Sequence, residues 1–314
     1  MTHHVVVLAG GLSHEREVSL RSGRRVALAL REAGHQVTEA DMTSEVIGLL
    51  KSLDHPVVFP LLHGGVGEDG SLREVLALLG VPFVGASAAA SRLTFDKPIA
   101  TTIVGRAGVH VPRQIDLPHD VFRELGAKAL VDALGEVLGF PMMVKPARSG
   151  SALGATKVTD VAGLPAAMVG AYAYGTVAVV EEFIEGTEVA VTLIDRGSGL
   201  EALPAVEIRP ASGVYDYASR YTAGEVRFVT PAEVDADIAT RCAELSLTAA
   251  TVLGLTDLCR IDIIITPEGE PVFLEANVAP GMTETSLAPL AMEAAGLDVG
   301  EVCSALVEAA AARA

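Results

Sequence analysis

Residues 258-LCRIDIIITPEGEPVFLEANVAPGMT-283 read as a β-hairpin. Ile261, Ile263 and Ile265 alternate with Arg260, Asp262 and Ile264. The alternation returns from Phe273 to Asn277, the period of two expected of paired strands. Glu268-Gly269 offers a two-residue turn. A register centred on that turn sets Asp262 opposite Glu275 and Arg260 opposite Asn277, so all four share one face. Two readings fit such a face. One is the solvated side of a half-buried hairpin. The other is a cage for a hard cation, because two carboxylates and an amide supply the oxygen ligands that magnesium takes alongside substrate phosphates. Pro280-Gly281, directly after the second strand, favours the cage, since glycine lets backbone approach a ligand closely.

The chain around this hairpin has 314 residues, half of them hydrophobic, which predicts two or three lobes with ample apolar surface to bury. No stretch reads as a transmembrane span. The first apolar run, residues 5–9, is short, lacks a basic flank and ends in Gly10-Gly11, so it reads as a strand and not a signal peptide. Cys242, Cys259 and Cys303 show no disulfide or metal spacing, which suits a reducing cytoplasm. A net charge of −17 opposes binding to nucleic acid or to an acidic membrane. A polyphosphate ligand would therefore need local positive charge from metal and a few placed cations. The five lysines, Lys51, Lys97, Lys128, Lys145 and Lys157, stand out for that reason.

In chain order, a strand from His4 to Ala9 runs into a turn and a helix that Ser13 is placed to cap. Glu15 then sits at a strand's carboxyl end, where open α/β sheets place ligands. It reads either as an ammonium binder or as a first-turn carboxylate favoured by the helix dipole. Residues 57–62 form a second strand leading to His63 and a glycine- and acid-rich loop. His63 is equally open to a structural or a functional reading. Residues 81–85 read as a short strand, with a helix starting near Pro98. A helix over 122–138 precedes a strand ending at Lys145, a glycine/serine loop 149–154 and a return strand 155–158. That loop is not a P-loop. It reads as a plain hairpin loop or as a flap whose free backbone N–H groups suit phosphate. Strands follow at 178–184, from Glu188, and at 204–210; residues 213–225, with three of the five tyrosines, read as a lid. A helix over 231–253 leads into the hairpin, and two alanine-rich helices close the chain.

Together these segments resemble the D-alanine–D-alanine ligase family of the ATP-grasp superfamily. The matching runs are GGLSHEREVSLRSG, HGGVGEDG, FDKP, VKPARSGSALG, EEFIEGTE, YDYASRY, RIDI and LEANVAPGMTETSL, in the family's order across nearly the whole chain. The resemblance implies an α/β chain with a three-lobed ATP-grasp fold. Residues 1–95 would be an N-terminal open α/β domain, 96–185 a central lobe with the phosphate flap, and 186–314 a C-terminal lobe with lid and metal ligands. It implies phosphorylation of one D-alanine to an acylphosphate and attack by the amine of a second, for peptidoglycan precursors. It further implies a cytoplasmic homodimer using ATP with magnesium, two ions, manganese substituting.

Residue roles follow the matched motifs. Lys97 and Lys145 match the nucleotide-side lysines, and Glu181, Phe183, Ile184 and Glu188 the strand holding adenine and ribose. Asp262, Glu275 and Asn277 match metal ligands. Glu15 matches the acid on the first D-alanine's ammonium, linked through Ser151 to Tyr221 on the lid. Arg260 and Gly281 match the groups facing the tetrahedral intermediate, and Ser286 and Leu287 the second D-alanine's subsite, with His63 beside them. The chain departs from the family pattern at Arg220, where lysine binds ATP, and at Ala152, Glu182, Val278-Ala279 and Thr285. The same fold would also suit a ligase with another acceptor or amide product, or a non-catalytic nucleotide-binding relative.

Overall fold

The computed structural model describes residues 2–210 and 225–313. Three sheets organise them. In the first, β1 (His4–Ala9), β2 (Gln36–Asp41) and β3 (Val57–Pro60) run parallel in the order β2-β1-β3. The unbroken apolar run of β1 follows from helices covering both faces. Residues 81–85 add only a bridge between Val58 and Phe83, not the expected strand. Pro82 has no N–H to extend the ladder. Ser13 does not cap the helix Arg16–Glu32. Its hydroxyl instead donates to the carbonyl of His63 at 2.7 Å, tying the ends of β1 and β3 together.

The second sheet is antiparallel, with β4 (Gln114–Pro118), β5 (Met142–Pro146), β6 (Thr156–Val158) and β7 (Val177–Glu182) in the order β4-β7-β5-β6. It has its own core, built from Met142, Val144, Ala178 and Val180 against Leu134 and Met168. The helix expected over 122–138 is two helices, His119–Leu125 and Ala127–Leu138, broken at Gly126 with φ +87°. A left-handed residue cannot continue a right-handed helix.

The third sheet contains β8 (Thr187–Asp195), β9 (Leu200–Ala202), β10 (Val206–Pro210), β11 (Val226–Val229), β12 (Leu258–Ile265) and β13 (Pro271–Asn277). Its path is β11-β10-β8-β12-β13, with β9 beside β8. The β12–β13 hairpin pairs Arg260 with Asn277 and Asp262 with Glu275, the expected partners. The route to that register differs from the expected one. The turn is Thr266 to Gly269, closed by Gly269 N–H to Thr266 O at 2.8 Å, with Thr266 and Glu270 paired beyond it. This is a three-residue loop with Pro267 leading the turn and Gly269 left-handed at φ +82°. It shifts the pairing by one residue. A bulge between Asp262 and Ile263 shifts it back.

One face of the third sheet shares a core with the first. Ala190, Ile194 and Val206 pack with the helices Leu287–Ala294 and Val299–Ala312, which also cover Val7 and Phe59. The opposite face packs on the helix Ala236–Leu253 and on Lys97–Arg106. The loops after β1 and β3 are thus fixed relative to β12 and β13, and the site lies at that junction.

Candidate active site

A cavity of about 610 Å³ opens where the three sheets meet. Glu15, His63 and Lys97 line it from the N-terminal half, and Ser151 from the loop after β5. Arg260, Glu275 and Asn277 line it from the hairpin, with Gly281, Ser286 and Leu287 from the segment that follows. Six expected site residues are not in its wall: Lys145, Glu181, Phe183, Ile184, Glu188 and Asp262. Arg220 and Tyr221, in the expected lid, lie outside the described residues.

The carboxylate of Glu15 sits between two glycines. A Cβ on Gly64 or on Gly150 would come within 2.8 Å of its Oε2. No larger residue fits at either place without moving the acid. Ser151 donates its hydroxyl to Glu15 Oε1, and both Ser151 and Ala152 are left-handed, with φ +51° and +56°. Non-glycine residues in that region are strained. The loop accepts that conformation where it folds down on Glu15.

His63 is buried, and burial pushes its pKa down. Its Nδ1 lies 3.0 Å from the carbonyl of Ala279, which can only accept, so Nδ1 carries the hydrogen. Nε2 faces the Ser22 hydroxyl at 3.4 Å, and Ser22 accepts the Met282 N–H at 3.0 Å. The imidazole thereby fixes residues 279–282, and with them Gly281, against the first helix.

Arg260 and Asp262 form a buried bidentate pair, Nε to Oδ1 at 2.6 Å and Nη2 to Oδ2 at 2.8 Å. The fork is held in plane by both bonds. Lys97 places Nζ 3.4 Å from Glu275 and donates to the Ser149 carbonyl at 2.6 Å, bridging hairpin and flap. Asn277 Oδ1 accepts the Ala279 N–H at 2.8 Å, shaping the turn out of β13. Ser286 caps no N–H of its helix. Its Oγ instead takes the Thr283 N–H at 3.0 Å, leaving the first turn of Leu287–Ala294 facing the cavity.

The second sheet presents a separate set. Lys145 and Glu181 make a buried ion pair at 2.6 Å across β5 and β7. Lys157 rests over the Phe183 ring, 3.7 Å from its centroid. Ile184 and Glu188 follow, half-buried, where β7 gives way to β8.

A family model described as the D-ala D-ala ligase C-terminus matches residues 103–308. The D-alanine–D-alanine ligase of Anaeromyxobacter sp. (strain Fw109-5) is 39% identical over 99% of this chain and 97% of its own length. The chain belongs to the D-alanine–D-alanine ligase family. The ligase of Aquifex aeolicus is also 39% identical, over 96% of this chain and 99% of its own. Among solved structures, the D-Ala:D-Ser ligase VanG of Enterococcus faecalis superposes with a TM-score of 0.86 at 29% identity, covering 99% of this chain and 100% of that one. The Bacillus anthracis D-alanine–D-alanine ligase complexed with ATP gives 0.82 at 26% identity, covering 98% and 97%. The described residues have the mixed α/β architecture of these ATP-grasp ligases.

For a ligase of this family, two pocket features escaped sequence reasoning. Glu68 lines the cavity, yet is buried, and burial together with the nearby Glu15 carboxylate pushes its pKa up to about 7. Arg73 is buried behind it. Its guanidinium donates to the carbonyls of Gly67 at 2.5 Å and Val278 at 3.3 Å, joining the glycine loop to the turn after β13. Desolvation lowers its pKa to about 10, still charged at neutral pH. In sequence, Glu68-Asp69 looks like a solvated turn, and Arg73 like the exposed side of a helix.

Proposed function

We propose that this chain is an ATP-dependent ligase that joins two D-alanines into D-alanyl-D-alanine for peptidoglycan precursor synthesis. The observation that carries the reading is the convergence of Glu15–Ser151, Lys97, Arg260, Glu275, Asn277 and Gly281 on one cavity from three parts of the chain. Lobes at 1–95, 96–185 and 186–314, a cytoplasmic location and a homodimer complete the proposal. No helix among the described residues is long and apolar enough to cross a membrane.

The steps follow from charge. Glu15 holds the first D-alanine's ammonium and turns its carboxylate toward the nucleotide. A carboxylate oxygen attacks the γ-phosphorus and ADP leaves. The second amine then attacks the acyl carbon, loses its proton, and expels phosphate with the original carboxylate oxygen. Negative charge meets negative charge in the first step, so cations must gather there. Lys97 stands beside Glu275 for this role, and Lys145 stands at the nucleotide end with Glu181, Phe183, Ile184 and Glu188. Arg260, locked by Asp262, and the Gly281 backbone face the tetrahedral oxyanion, where one donor is typically worth ~3 kcal/mol. Ser286 and the N–H of Leu287 receive the acceptor's carboxylate, with His63 holding that turn in place. The proposed phosphate-binding role of Arg220 and lid role of Tyr221 fall on positions outside the described residues.

Asp262, Glu275 and Asn277 fit magnesium by donor type, all hard oxygens on paired strand positions. Among the described residues no group of three His, Cys, Asp or Glu side chains is arranged for a metal. Two carboxylates and an amide leave coordination positions for nucleotide and water, so two magnesium ions, or manganese, would arrive with ATP. Bound there, they would neutralise phosphate charge.

A second reading concerns the acceptor. Val278, Ala279 and Thr285, which depart from the family pattern, all line the cavity. The deciding experiment supplies ATP, magnesium, D-alanine and equimolar D-serine and weighs the products by mass spectrometry. D-Alanyl-D-alanine as the main product supports the proposal; D-alanyl-D-serine as the main product replaces it with the second reading.

A further inference from the structure

Besides Glu68, another charged side chain in the cavity wall belongs to none of the roles above. Arg21, in the second turn of the helix Arg16–Glu32, lines the same cavity as Thr283, Thr285, Ser286 and Leu287. Its Nη2 lies 3.5 Å from Glu284 Oε2, with both side chains exposed, at 54% and 68%. Arg25, one turn on, also acts on Glu284, and its Nη1 is buried with no hydrogen-bond partner among the described residues. Two arginines thus face one glutamate at a corner of a chain whose net charge is −17. The next residue, Ser22, accepts the Met282 N–H, so the helix is fastened to the turn that carries this corner. Beside it, Ser286 leaves the first turn of Leu287–Ala294 uncapped. A helix N-terminus and a spare cation side by side favour an anion.

We propose that Arg21 is a specificity-determining residue that selects an acceptor amino acid bearing a free carboxylate, with Glu284 competing for the same guanidinium. This rests on the ligase reading. Arg21 does not touch the reacting atoms; it attracts and orients the far end of the acceptor, so its effect falls on acceptor choice. An exposed pair at 3.5 Å binds weakly and exchanges readily, so an incoming carboxylate can displace Glu284.

D-Alaninamide tests this directly. Lacking a carboxylate, it cannot be phosphorylated, and serves only as acceptor. The full-length protein is given ATP, magnesium, D-alanine and D-alaninamide, and the ratio of D-alanyl-D-alanine to its amide is read by mass spectrometry. Arg21→Met is expected to lower that ratio about fivefold, roughly 1 kcal/mol. Arg21→Lys should retain most of it, and Glu284→Gln should raise it. In wild type the ratio should fall as ionic strength rises, and in Arg21→Met that dependence should be lost. Arg24→Met, exposed on the same helix and outside the cavity wall, serves as the control with an unchanged ratio. An Arg21→Met ratio equal to wild type would overturn the proposal. So would a Glu284→Gln ratio that does not rise, a result that stands even if Arg21→Met fails to fold. If wild type makes neither product, the ligase reading itself has failed, and that outcome is distinct from either result.

Discussion

Glu68 is a cavity residue whose surroundings oppose its charge. It is buried beside Glu15, with Glu275 adding repulsion and Lys97 and the Gly64 N–H opposing it. Its carboxyl titrates near 7 in the fold, against 4.5 for an ordinary glutamate. Between those values the folded chain binds the extra proton, so stability falls as pH rises through that window and is level above it. Glu68→Gln removes the titration. It should therefore gain in melting temperature relative to wild type as pH is raised from 5 to 8, by differential scanning calorimetry; a gap that does not change with pH would mean that Glu68 is ionised in the fold. Glu275 makes the opposite demand, for charge. Glu275→Gln should leave the fold intact by circular dichroism and cut turnover by ~100-fold or more, since a neutral amide binds magnesium poorly. Wild-type turnover at ordinary magnesium would remove Glu275 from the metal site. The placement of Glu275 opposite Asp262 could be read from alternation alone, because strand pairing is local. That of Glu68 could not: the flap glycine that covers it, Gly150, lies some eighty positions downstream.

The hairpin and the flap carry the site. Strand alternation predicted the facing pairs 260 with 277 and 262 with 275, and the structure has them. It did so although the loop is one residue longer than expected, because the bulge at Asp262/Ile263 restores the register. Periodicity sees which face a side chain takes and is blind to compensating shifts. It also overextended the helix now broken at Gly126, where one left-handed glycine outweighs the apolar pattern on both sides. The flap makes a sharper prediction. A methyl group at Gly150 would meet Glu15 Oε2 at 2.8 Å. Gly150→Ala should hold the flap off Glu15 and raise the KM of the first D-alanine at least ~10-fold, about 1.4 kcal/mol, with little change in melting temperature. Unchanged kinetics would show that the flap moves aside before substrate enters.

Across the entire chain, charge and core placement act together. The first and third sheets share a core, whereas the second keeps its own. Nucleotide bound between the second and third should tie together parts that no common core joins. Binding to the folded state alone raises stability by RT ln(1 + [L]/Kd), ~2.7 kcal/mol at one hundred times Kd. Magnesium-ATP at that level should raise the melting temperature measurably, and ATP with chelator should do so much less, because a chain of net charge −17 repels a bare polyphosphate. Equal shifts would mean that the placed cations suffice without metal. The central claim is that a D-alanine carboxylate is phosphorylated by ATP and then displaced by the amine of a second D-alanine. The measurement that tests it is incubation with D-alanine labelled by oxygen-18 in its carboxylate, followed by mass spectrometry of phosphate and product. D-Alanyl-D-alanine, ADP and phosphate are expected in equal amounts, with one labelled oxygen in each phosphate. Unlabelled phosphate, or AMP and pyrophosphate in place of ADP and phosphate, would contradict it.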